Sequence, residues 1–107
     1  MRIRKTIMTG VLATALLLPA AAFAHTPMCS CFSLGDGTIT CEGGFSDGSS
    51  ASGTIVRVRD KEGTVLIKGK MDEFSEFTFE KPDKPFVVEF DAGSGHKIEI
   101  KGKDIAE

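Results

Sequence analysis

Thr54-Ile55-Val56-Arg57-Val58-Arg59 runs into Asp60-Lys61-Glu62-Gly63 and returns through Thr64 to Lys70, and the reading of this stretch decides the fold. Val56 and Val58 alternate with Arg57 and Arg59. A period of two puts the apolar side chains on one face of a strand and the charged ones on the other. Ile55 stands out of phase. The polar break ending in Gly63 is a turn signal, so the stretch predicts a hairpin. The pattern repeats outward from it. Toward the N-terminus, strands are expected over 28–34 and 38–45, joined by Gly35-Asp36-Gly37, and Asp-Gly is among the strongest hairpin signals. Ser46 to Gly53 is a polar loop. Toward the C-terminus, 71–75 reads as a turn and 76–80 as a strand with Phe77 and Phe79 on one face. Pro82 and Pro85 precede a strand over 86–91, where Phe86, Val88 and Phe90 share a face. A Gly-rich turn over 92–95 leads to the last strand, 96–100, and 101–107 reads as a frayed tail.

No stretch after residue 24 has helical periodicity. Seven short strands separated by turn residues predict an all-β domain, a small seven-stranded immunoglobulin-like β-sandwich. The first residues are of another kind. Arg2, Arg4 and Lys5 precede an apolar run from Ile7 to Leu18, Pro19 ends it, and Ala22-Phe23-Ala24 is a small-residue cleavage site. The run is short for a bilayer span. The expectation is a signal peptide over 1–24, export to a bacterial periplasm, and a mature domain over 25–107. The whole chain has 13 Lys and Arg against 15 Asp and Glu, a net charge of −2. Removing Arg2, Arg4 and Lys5 takes the net charge from −2 to −5. That balance predicts a surface without a basic patch, hence no nucleic-acid partner and no attraction to anionic membranes. With no second apolar span, the mature chain is not expected to insert into a membrane.

Several local patterns resemble a known group. Phe45-Ser46-Asp47-Gly48, Val56-Arg57-Val58 and the segment from Gly69 to Phe79 resemble the carboxypeptidase-regulatory-like β-sandwich, in which a G-x-x-D-x-x-G-x-F-x-F run links two strands. Gly69, Asp72, Phe77 and Phe79 occupy those places, and Ser75 stands where the family has Gly. His25, Phe45 to Gly48, and Ala92-Gly93-Ser94-Gly95-His96 resemble small periplasmic accessory components of nickel/cobalt uptake transporters. The resemblance implies a transthyretin-like sandwich that handles nickel or cobalt beside a membrane metal transporter. The three cysteines lie outside its pattern.

Two histidines and three cysteines are the candidate chemistry. Cleavage after Ala24 would give His25 a free α-amine, with a pKa of about 7.7–8.0. Amine and imidazole Nδ1 of one residue then chelate a metal as a pair, against the alternative of a solvated terminal histidine. His96 starts the last strand, where a surface histidine is the ordinary reading. In immunoglobulin-like sandwiches the first strand can run parallel to the last, which would bring His25 and His96 to one end. Three nitrogen ligands suit Ni(II) or Cu(II).

Cys29, Cys31 and Cys41 leave an odd thiol in an oxidising compartment. A two-residue turn on Asp36-Gly37 would put Phe32, Leu34, Ile39 and Cys41 on the core face, with Cys29 and Cys31 on the other. A three-residue loop would instead set Cys31 opposite Cys41, in reach of a disulfide. As thiolates, Cys29 and Cys31 would be soft ligands beside His25, with Met28 a packing residue or a thioether.

No catalytic constellation is visible. Ser49, Ser50 and Ser52 sit in a loop without a nucleophile-elbow context. Asp47, Asp60, Asp72 and Asp91 adjoin turns, where carboxylates cap backbone amides, and Glu42, Glu76, Glu80 and Glu89 read as a solvated sheet face. The expectation is therefore a periplasmic transition-metal-binding protein rather than an enzyme. It would take nickel or cobalt through His25, His96, Cys29, Cys31 and Cys41, as an accessory to a membrane transporter. Copper is the alternative metal, and a metal-free interaction module braced by a disulfide is the alternative class.

Overall fold

A computed structural model describes residues 26–106. The expected signal peptide, His25 and Glu107 lie outside the described residues. Seven strands follow in order: β1 Pro27–Ser33, β2 Thr38–Phe45, β3 Ile55–Asp60, β4 Val65–Lys70, β5 Glu76–Glu80, β6 Phe86–Asp91 and β7 Lys97–Lys101. A single 3-10 turn, Gly102–Asp104, follows β7. Three strands form one sheet in the order β1-β2-β5, and four form the other in the order β4-β3-β6-β7. Every strand pair within the two sheets is antiparallel. The result is the predicted seven-stranded sandwich. Its strand order departs from the constant-type immunoglobulin arrangement in one respect: the fourth strand pairs with the third instead of the fifth.

Alternation puts Val56, Val58, Phe86, Val88 and Phe90 on the inner face of the four-stranded sheet, against Ile39, Cys41 and Phe79 of the other. Phe79 meets Phe86 edge-on, with ring centroids 6.1 Å apart. Phe90 lies 6.5 Å from Phe45. Each fully buried Val, Ile or Phe contributes about 1.5–3 kcal/mol. Gly43 admits the Phe90 ring, because a Cβ there would come within 2.7 Å of it.

The first hairpin takes the three-residue register. Leu34 N–H donates to Thr38 O at 3.1 Å, and Gly35 and Gly37 both take positive φ, at 80° and 91°. Asp36 Oδ1 accepts from Thr38 N–H at 3.0 Å and from its hydroxyl at 2.6 Å. Cys31 therefore pairs with Cys41 and Cys29 with Gly43, on the core face. Phe32 is turned to the outer face, opposite Thr40, whose hydroxyl shares a 2.8 Å hydrogen bond with that of Thr78.

Two expectations are corrected. Residues 101–106 are not frayed: Lys101 ends β7, Ile105 packs on the core, and Ser33 N–H donates to Ala106 O at 2.8 Å. The docked tail covers part of the free edge of β1, where unpaired amides would otherwise invite another chain. Glu89 is not solvated either. Arg57 Nη1 donates to Glu89 Oε1 at 2.9 Å and to Asp91 Oδ2 at 2.8 Å, and Arg59 Nη2 reaches Glu89 Oε1 at 3.3 Å. The two arginine stems cover the carboxylate and leave the residue 9% exposed.

Candidate functional site: the two ends of the sandwich

Strand direction sorts the loops to two ends. One end gathers Thr26, the 46–54 loop, the 71–75 turn and the 92–96 turn. The other gathers the 34–37, 61–64 and 81–85 connections and the tail after β7.

At the first end, Thr26 exchanges two bonds with Ser46: its N–H donates to Ser46 Oγ at 3.1 Å, and its carbonyl accepts from Ser46 N–H at 2.9 Å. Pro27 pairs with Phe45, Phe45 stacks toward Phe90, and Phe90 pairs with Ile98. This chain of contacts brings the start of β1 and the turn into β7 to the same end. His96 lies in that turn, exposed. Its N–H donates to Gly93 O at 2.9 Å, and its carbonyl accepts from Ala92 N–H at 3.0 Å. Nδ1 is 3.1 Å from Ser94 O. A carbonyl only accepts, so in the neutral ring this contact puts the proton on Nδ1 and leaves the Nε2 lone pair for a ligand. The loops of this end carry Asp47, Asp72 and Glu73 and no Lys or Arg.

The cysteines divide. Cys31 and Cys41 form a disulfide across the hairpin, with Cα atoms 4.0 Å apart. That removes both from the thiolate set while the bond is intact. The register explains it, since directly opposed positions on one face bring the two sulfurs together. Closing this short loop is worth about 3 kcal/mol in the chain-entropy picture. Cys29 is free and half-buried. Desolvation pushes its thiol pKa up to about 11, so it is a thiol and not a thiolate near neutrality. Met28 is exposed on the outer face. Among the described residues no three His, Cys, Asp or Glu side chains gather where one ion would be held.

The turn aspartates are caps. Asp47, Asp60, Asp72 and Asp91 each accept at least one N–H from two or more residues ahead, at 2.8–3.0 Å. The run from Gly69 to Phe79 is likewise structural. Gly69 leaves room for the Phe77 ring, and Asp72 Oδ1 accepts from Phe74 N–H and Glu76 N–H. Ser75 is the one non-glycine of positive φ, at 62°, among the described residues. Its Oγ accepts from Ala51 N–H at 2.9 Å and meets Ser50 Oγ at 3.1 Å. The hydroxyl pins the 46–54 loop to the β4–β5 turn.

At the other end lysines gather around one cleft, while its connections also carry Asp36, Glu62, Asp83 and Asp104. Every Lys and Arg among the described residues lies on the four-stranded sheet or in the turns of this end; β1, β2 and β5 carry none. An open cleft of about 840 Å³ sits here. Net charge concealed it, because lysines distant in sequence converge only once strand directions are known. Counting the lysines of alternate turns would have revealed it.

The chain matches no known protein family, no curated protein and no solved structure.

Proposed function

We propose that the chain is an extracytoplasmic metal-handling protein that takes nickel or cobalt at the histidine end of the sandwich, as an accessory to a membrane uptake system. The ligands are nitrogens: the α-amine and imidazole of His25 after processing, and Nε2 of His96. What supports this reading is the topology, which sets Thr26 and the exposed His96 turn at one end. The Nδ1–H to Ser94 hydrogen bond adds to it, since a bond on one ring nitrogen orients the other toward a metal. Asp47, Asp72 and Glu73, with no cation in the same loops, favour a positively charged ligand there. The disulfide narrows the donor set, because thiolate ligands would have favoured Cu(I) or zinc whereas nitrogen donors suit Ni(II), Co(II) or Cu(II).

Calorimetric titration of the processed protein with Ni(II), Co(II), Cu(II) and Cu(I) tests it. One divalent ion is expected to bind, with the affinity lost on His96→Ala and kept on Cys29→Ser. The metal-free module braced by its disulfide is the second reading. It is favoured by the absence of a three-ligand group among the described residues, and no binding of any of the four ions would establish it.

A further inference from the structure

We infer that the cleft at the opposite end binds a small amphipathic organic anion, an apolar body bearing a carboxylate, sulfonate or phosphate. The cleft shares no residue with the histidine end. Lys61, Lys81, Lys84, Lys101 and Lys103 line the cleft, and Asp83 is the one acidic residue among its lining. Among the described residues only Lys84 of the five reaches a carboxylate, Asp60, and only at 3.9 Å. Both Oδ1 bonds of that Asp60 are already made to Glu62 N–H and Thr64 N–H. Five ammonium groups against the lining Asp83 and the neighbouring Asp60 leave the cleft itself with an excess of positive charge in a concave site.

The floor has the opposite character. Pro82, Pro85, Phe86 and Val87 line it, so most of the surface offered to a ligand is apolar. A volume of about 840 Å³ falls within the roughly 300–1,000 Å³ range of small-molecule sites. Inorganic phosphate would leave that floor uncovered, and a neutral hydrocarbon would leave the ammonium groups unused. An anion with an apolar body uses both.

The walls are held in place. Lys81 N–H donates to Gly37 O at 2.9 Å and ties the β5–β6 connection to the first hairpin. Gly102 packs under the Phe86 ring, where a Cβ would come within 2.6 Å of it. Ile105 on the core and the Ser33–Ala106 bond then fix the segment that carries Lys101 and Lys103. A ligand meets a formed site, which lowers the ordering cost of binding.

The test uses a matched pair of fluorescent probes on the purified protein. One is 8-anilinonaphthalene-1-sulfonate and the other is N-phenyl-1-naphthylamine, the same apolar body without the sulfonate. The sulfonate is expected to bind at one site and to be displaced by a medium-chain fatty-acid anion but not by inorganic phosphate. Its affinity falls with added salt. The pair Lys81→Gln with Lys103→Gln should weaken it about tenfold. Lys68→Gln with Lys70→Gln makes the same charge change on the strand away from the cleft and should leave binding unchanged. Equal binding of the uncharged probe, or an equal loss from the Lys68 and Lys70 pair, would overturn the inference. So would displacement by inorganic phosphate alone.

Discussion

Replacing Ser75 by glycine puts the logic of the β4–β5 turn to a sharp test, because two effects of opposite sign meet at one residue. Ser75 holds φ at 62°, where an L side chain costs about 1–2 kcal/mol. Glycine removes that cost but returns about 0.4–1 kcal/mol as extra unfolded-chain entropy. It also deletes the Oγ that accepts from Ala51 N–H at 2.9 Å. Ala51 is fully buried, so its amide is left without its partner, at about 1–3 kcal/mol. The larger loss decides the sign: Ser75→Gly should destabilise by about 1 kcal/mol. Ser75→Ala keeps the strained φ and loses the same acceptor, so it should fall by about 2 kcal/mol. Urea denaturation reads both as shifts of midpoint at constant slope. The expected order is wild type, then Gly, then Ala. A Gly variant more stable than wild type would refute the reasoning and mean that the hydroxyl contributes less than the backbone strain costs.

Acid should weaken the domain through Glu89 and Asp91. Burial raises the pKa of Glu89, but the hydrogen bonds from Arg57 and Arg59 outweigh it and the net shift is downward; the Arg57 hydrogen bond likewise lowers Asp91. A depressed folded pKa means stability that is present above the ordinary carboxylate range and lost as pH falls below about 4. In Arg57→Gln, denaturation midpoints should therefore vary less between pH 5 and pH 2 than in wild type, and an unchanged pH slope would contradict the assignment. Cys29 should react with iodoacetamide at pH 8 on the order of a hundredfold more slowly than a free cysteine, because its thiol is held near pKa 11. Alkylation at the free-cysteine rate, followed by mass spectrometry, would show the thiol to be accessible and ionised.

Much of the fold was legible because alternation is a local signal. The strands over 38–45, 76–80 and 86–91 have the bounds their patterns predict. The first hairpin was not decidable that way. Gly35-Asp36-Gly37 closes either a two- or a three-residue loop, and only the partner sheet, which takes Cys29 and Cys31 of β1 to the core side in place of Phe32 and Leu34, selects the register. Glu89 was misread for a related reason: alternation tells which face a residue occupies, not that two arginines on the neighbouring strand cover it. At the candidate site the sequence singled out His96 and the cysteines but left the sulfur chemistry open, because one residue of register separates a disulfide from two thiolates. The lysine cleft was missed, since its members come from two separate connections and the end of β7 with its tail, which converge only once strand directions are known.

The metal reading rests on the α-amine and ring of His25 acting together with His96. One alanine inserted before His25 moves the amine off the chelate while leaving every side chain in place. Loss of a directly bound donor should exceed the 10–100-fold typical of outer-shell changes, so Ni(II) affinity of the extended protein should fall by at least about tenfold in calorimetric titration. Wild-type affinity in the extended protein would contradict the account.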